Sequence, residues 1–396
     1  MENNGFNKNM ISARTAVFCL AMSLWIMSGY LSNSYYAIDY AYWPILGIKY
    51  ISLSLFVLQI FLFSHHIKLK TLVGFVSFFC VVILAAVKSG TFLSSSTIVV
   101  MCLILLCGKD LDFRSICKCI MWNEMIWMII IIVSAKIGII TEYISIYEHR
   151  ERNCLGATFP GFLPINFINI MFCCFYVYLY NKESIKKHWY IIIALIVVNA
   201  YFYNASDVRQ TFYITIMAII LLLLINLFGD VVLKLKLVQA ILMVLFPLLC
   251  CVTYIMSYKF RWDDPIMWLI NNVFSGRLQY NNVALKKYGL HLLGSKVTYN
   301  TGTVINNYSD YFFIDSGYVE TGIRYGIILL VVLICIYMMI LKKAIDNREY
   351  VLIIWIALLA VYNMFNNMMF SVTINSSIFA IWGLLNMGKD KRIKKI

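Results

Sequence analysis

The chain has 396 residues, 62% of them hydrophobic and only 13% charged, with a formal net charge of +14. That balance excludes a soluble multidomain protein, and twelve cysteines scattered mostly through apolar stretches exclude a disulfide framework. The positive charge excludes little by itself, because its placement along the chain decides its meaning.

A helix needs roughly twenty apolar residues to cross a bilayer core. Apolar runs of that kind are centred near residues 23, 53, 79, 100, 129, 171, 196, 219, 247, 332, 357 and 378. They predict an all-α polytopic membrane protein with about 12 transmembrane helices, since helices satisfy their own backbone hydrogen bonds in lipid. The chain does not alternate polar and apolar residues as a β-barrel would. With both termini inside, Lys8, Arg14, Lys109, Arg114, Lys186, Lys187 and the tail from Lys389 to Lys395 gather on one face. The positive-inside bias makes that face cytoplasmic, so the charge records topology rather than a nucleic-acid partner. The first apolar run lacks a small-residue cleavage site and reads as a retained helix.

In chain order, the first outer loop, Ser32 to Tyr42, carries tyrosines suited to the membrane interface and one carboxylate, Asp39. His65, His66, Lys68 and Lys70 form a solvated basic collar. Asp110-Leu111-Asp112 imitates the Asp-x-Asp metal motif, but it sits in a short charged connection with no soluble domain around it. Cys117 and Cys119 lack further ligands nearby. No metal and no cofactor are predicted.

The outer loop from Thr141 to Pro164 holds Glu148, Arg150, Glu151 and Arg152. Arginines there run against the charge bias, so they need a local reason. They either pair with the two glutamates or hold an anionic ligand, since a guanidinium grips phosphate oxygens two at a time. Arg209 stands at the mouth of the next span, where Ser206 or Asp207 would cap the helix. A helix N-terminus favours anions, so Arg209 is there either to bind one or to pair with Asp207.

The only long stretch that reads as soluble runs from about Tyr258 to Arg324. It divides the chain into residues 1–257 with nine spans, 258–320 as a large outer loop, and 321–396 with three spans and a basic tail. Asp264-Pro265 predicts a helix start, and Arg277 to Tyr288 a second helix ended by Gly289. Both are expected to lie on the bilayer surface. Further on, Asp315, Tyr318 and Gly322 share a helix face, and Glu320 and Arg324 form an i,i+4 pair. Asn363, Asn366, Asn367 and Asn375 near the last outer turn are expected to line a polar cavity or cap helices.

Three features in this order and on one side resemble the Wzy-type O-antigen and capsule polymerases and the related O-antigen ligases. They are Arg209 entering a span, Ser275-Gly276-Arg277 early in the large loop, and Asp315-Ser316-Gly317-Tyr318 leading to Gly326. The resemblance covers about Arg150 to Ile340. It implies a GT-C-like fold and a metal-independent glycosyltransferase. Its substrates would be oligosaccharide repeat units on undecaprenyl pyrophosphate, at the outer face of the bacterial plasma membrane. A chain-length regulator and a flippase are the implied protein partners.

The resemblance assigns Arg209 and Arg277 to the pyrophosphate and leaves open whether Arg150 or Arg152 joins them, because the family's Pro-Asn pair is split here into Pro160 and Asn166. Asp315 stands where the ligases carry a histidine, which favours the polymerase. Chemistry that places charge on a leaving pyrophosphate without a metal needs fixed cations, and the acceptor hydroxyl needs a base. Asp315 is the expected base, with Asp39, Asp310 and His291 next in line. Arg324, Tyr318 and His291 are expected substrate contacts. The rival reading is a transporter or flippase, whose ionisable groups would sit nearer mid-membrane. Lys49 and Lys136 are the main basic residues inside apolar runs.

Overall fold

The computed structural model describes residues 2–63, 69–91, 97–109, 111–147, 150–300, 312–369 and 371–382. His65, His66, Lys68, Asp110, Glu148, Asp310 and the basic tail lie outside the described residues.

The helices are α1 (Glu2–Ser32), α2 (Tyr36–Asp39), α3 (Tyr42–Phe63), α4 (Leu69–Lys88), α5 (Thr97–Cys107) and α6 (Phe113–Lys136). A hairpin of β1 (Ile144–Tyr147) and β2 (Arg150–Asn153) follows, then α7 (Phe162–Tyr178), α8 (Lys182–Lys187), α9 (Trp189–Ser206), α10 (Arg209–Val232) and α11 (Lys236–Lys259). The loop segment holds α12 (Pro265–Val273), α13 (Arg277–Tyr288) and α14 (Gly317–Glu320), before α15 (Ile327–Asn347) and α16 (Tyr350–Tyr362).

This is the architecture of an all-helical membrane protein. Among the described residues, seven helices are long and apolar enough to cross a membrane: those in α1, α3, α6, α9, α10, α11 and α15. The apolar parts of α4 and α5, and α7 and α16 entire, are shorter. Of the expected run near 378, the described part is a short 3-10 turn, Ser376–Phe379, followed by helical residues 380–382, where the described residues end.

α1 packs on α3 and α6, α6 on α7, α10 on α16, and α11 on both α13 and α15. Large side chains interlock where they meet, as in Phe172 stacked on Trp355 at 5.2 Å. This interior also contains a carboxyl, Glu124 of α6, which is fully buried. Asn169 of α7 donates through Nδ2 to both of its oxygens at 3.1 Å, while Asn169 Oδ1 accepts from the Ser376 amide and hydroxyl. A single buried acid thus joins α6, α7 and the chain's last described turn.

The loop end has a small core of its own, formed by Ala284, Val297, Ile314, Val319 and Ile323. It clamps α13 against the segment that carries Asp315. Both loop helices start as the sequence predicts: the Asp264 carboxylate accepts from the Ile266 and Met267 amides, and α13 ends at Gly289. The two helices differ in what they bury. α12 turns Ile266, Leu269 and Val273 outward, whereas α13 buries Leu278, Asn281, Asn282 and Ala284. Its asparagines explain the difference, because Asn281 and Asn282 donate to the hydroxyl and carbonyl of Ser257 at the end of α11.

After α14 the helix widens into one π-turn over Thr321–Tyr325 and stops at Gly326, which has φ +97°. The Ile327 and Ile328 amides are then met by the His291 and Leu292 carbonyls, so the loop caps α15. Gly294 and Gly326 allow this approach, since a Cβ on either would run into opposing backbone.

Candidate functional site

The hairpin decides the orientation of Arg150 and Arg152. Tyr147 pairs with Arg150 and Ser145 with Arg152, so Arg150 and Arg152, two residues apart on one strand, face the same way. Both reach the end of α9. Arg150 binds Asp207 through Nε at 2.6 Å and again through Nη2, and its Nη2 also donates to the Asp207 carbonyl at 3.1 Å. Arg152 donates through Nε to the Ser206 carbonyl at 3.0 Å. Glu151 points to the opposite, exposed side and makes no ion pair among the described residues.

Asp207 does not cap α10. It ends α9 in the left-handed conformation, φ +45°, and Val208 takes the cap position without a side-chain bond. Asp and Asn tolerate this conformation better than most residues. The turn leaves the Asp207 carboxylate free to hold Arg150 on one side and Arg209, at 3.4 Å, on the other.

A second pair lies next to this one. Arg277 is the first residue of α13, placed there by Ser275 and Gly276 at φ +53° and +81°. Its Nε lies 3.3 Å from Asp315 Oδ2 and 2.6 Å from the Phe365 carbonyl oxygen. The turn that supplies Phe365 follows α16 and joins the parts of the site. Asn363 accepts from Gly317 and Ser316, Asn366 donates to Gln210 at 3.0 Å, and Asn367 donates to Glu320.

The two pairs share one electrostatic environment. Burial, followed by the charges of Arg150 and Arg277, holds the Arg152 guanidinium below its ordinary value, with Asp207 and Cys154 opposing. Four guanidinium groups (Arg150, Arg152, Arg209, Arg277) therefore face two carboxylates, Asp207 and Asp315. The uncompensated charge is positive and suits an anion with several oxygens. Burial raises the Asp315 carboxyl above its ordinary value, although its side chain keeps 29% exposure, and Arg277 opposes the rise.

The other predicted residues are placed as follows. Arg324 bonds Glu320 at 2.9 Å and lies over the Tyr299 and Tyr325 rings, which completes the i,i+4 pair. Glu320 also accepts from Tyr299 and Asn367, and burial raises its carboxyl despite these partners. Tyr318 is fully buried and its hydroxyl donates to the Ala360 carbonyl at 2.8 Å. His291 is exposed, with Nε2 2.9 Å from the Tyr288 carbonyl. Asp39 accepts from the Thr141 amide and hydroxyl and ties the first loop to the hairpin's approach. Asp112 caps α6 by accepting from Ser115.

Sequence reading missed the hairpin, the double role of Asp207 and Glu124. The alternation of Ile144-Ser145-Ile146-Tyr147 was the available signal for the first. A lone acid within an apolar run was the signal for the last.

Fold and site together define an all-helical membrane protein whose loop end carries a compact basic cluster beside a carboxyl with a raised pKa. Compared with protein-family models, with curated proteins and with solved structures, the chain matches none.

Proposed function

We propose that the chain is a metal-independent, GT-C-like glycosyltransferase of the outer face of the bacterial plasma membrane, with both termini cytoplasmic. It would polymerise oligosaccharide repeat units carried on undecaprenyl pyrophosphate. The observation that carries this reading is the pairing of Arg277 with Asp315 beside Arg150 and Arg152, with Arg209 held by the same Asp207 that binds Arg150.

In the proposed reaction a sugar hydroxyl of the incoming lipid-linked unit attacks the anomeric carbon of the growing chain. The bond from that carbon to the carrier's pyrophosphate breaks, and the electron pair leaves on the pyrophosphate oxygen. The hydroxyl proton goes to Asp315. Fixed guanidinium groups oppose the charge that develops on the leaving group and need little rearrangement to do so. Arg277 supplies a coupling between the two halves of the step. Once pyrophosphate oxygens engage its guanidinium, Asp315 loses its counter-charge and becomes a stronger base.

The test is purified protein in lipid vesicles with a lipid-linked repeat unit as the sole substrate. Chain growth with release of lipid pyrophosphate supports the reading, and an unchanged repeat unit refutes it.

One observation favours a second reading. Glu124 is a fully buried acid inside the helix bundle, and such residues often mark transport paths. A flippase of the same lipid-linked unit would show glycan movement across sealed vesicles without any chain growth.

A further inference from the structure

Two buried polar atoms beside the basic cluster have no hydrogen-bond partner among the described residues: the Tyr362 hydroxyl and the Gln210 amide nitrogen. Leaving such an atom unpaired is costly, and native folds leave few of them. Tyr362 is 1% exposed. The neighbouring buried tyrosines are satisfied, since Tyr318 donates to Ala360 and Tyr337 accepts from Asn375. A phenylalanine would fill the Tyr362 position equally well, so packing alone does not call for the hydroxyl.

The two residues border the same turn. The Asn366 amide donates to the Tyr362 carbonyl, and the Asn366 side chain donates to Gln210 Oε1. The intervening Phe365 carbonyl holds Arg277. The charges of Arg277 and Asp315 both act on Tyr362, yet neither side chain hydrogen-bonds it.

We propose that Tyr362 Oη and Gln210 Nε2 form a neutral donor subsite for an uncharged substrate oxygen, a sugar hydroxyl or ring oxygen, beside Arg277 and Asp315. The inference rests on the polymerase reading. The arginines supply charge for the pyrophosphate, whereas these two groups offer donors without charge, which suits the polyhydroxylated part of the same molecule. Their place beside Asp315 fits the sugar whose hydroxyl or anomeric carbon reacts.

The experiment compares Tyr362→Phe and Gln210→Glu with wild type in cells deleted for the gene, reading surface glycan on gels and the thermal stability of the purified proteins. Tyr362→Phe removes only the hydroxyl. Gln210→Glu keeps the acceptor used by Asn366 and replaces the donor. Both are expected to accumulate normally, with Tyr362→Phe at least as stable as wild type, and to cut long-chain glycan by about tenfold, the loss of one good hydrogen bond. A full-length ladder from Tyr362→Phe overturns the proposal. A fall in its thermal stability also overturns it, because the hydroxyl would then have a partner within the fold. If wild type itself restores no ladder, the polymerase reading fails first and the subsite falls with it.

Discussion

Arg277 and Asp315 meet across the loop end with Nε 3.3 Å from Oδ2, although one opens α13 and the other lies just before α14. The same Nε donates to Phe365 at 2.6 Å, so two separate parts of the chain fix the guanidinium. A lysine ammonium on its flexible stem cannot reproduce that planar contact. Arg277→Lys is therefore expected to reduce chain elongation about tenfold or more while protein level in the membrane stays near wild type, as measured by elongation in vesicles.

Asp207 organises the other half of the cluster. Asp207→Asn keeps a residue that tolerates φ +45° but removes the charge that holds Arg150 and Arg209. These pairs are partly exposed, so the stability loss should be small, about 1 kcal/mol. Glycan chain length should fall further than stability, because the arginines lose their aim. Thermal unfolding and glycan gels on the same variant separate the two effects.

Asp315 and Glu320 have raised pKa values, with burial as the first cause. The fold therefore favours their neutral forms. Their contribution to stability is complete below the ordinary values of 3.8 and 4.5 and is lost as pH rises through the folded values. A base must be ionised to work, so activity runs the other way. Lowering the pH from neutral should abolish elongation through a pKa above 3.8, with no contribution from these two acids to any loss of stability. Asp315→Asn should be folded and inactive throughout. Glu320→Gln should keep activity and lose part of the acid-side gain in melting temperature.

Gly326 combines φ +97° with ψ 160°, a region nearly closed to other residues, and a Cβ there would collide with the Leu292 carbonyl. Gly326→Ala should cost about 3 kcal/mol or more and lower the folded yield. Gly138, also at positive φ (+78°) but with no atom within 4 Å of where a Cβ would sit, provides the milder comparison. The readout is the monodisperse fraction in detergent chromatography.

Glu124 accepts from Asn169 deep in the bundle. Glu124→Gln preserves an acceptor and a similar shape, so a structural role predicts near-normal glycan and protein level. Glu124→Leu should lower protein level, because Asn169 Nδ2 keeps only the Thr373 carbonyl of its buried acceptors. Loss of function in Glu124→Gln with intact protein would favour the transport reading.

Helix identity was readable where apolar length and capping chemistry agreed, as at Asp264-Pro265 and at Arg277 to Gly289. The side on which a helix packs was less readable. In α13 two asparagines anchor the helix to Ser257, a contact that depends on where α11 ends. Arg277, Arg209 and Asp315 could be singled out locally, since each breaks the composition around it. Their meeting could not, because it is made by the Asn363–Asn367 turn after α16, and a polar turn in sequence does not reveal which distant carbonyl it offers. The choice between Arg150 and Arg152 had the same character. The strand pairing puts both on one face, and neither is excluded.

The most direct test of the central claim is a gel of surface and lipid-linked glycan from cells lacking the gene, complemented with wild type or with Arg277→Ala. The account predicts a ladder with wild type and a single unextended repeat unit in the deletion and with Arg277→Ala. A full ladder in the deletion strain, or with Arg277→Ala at normal protein level, would contradict it.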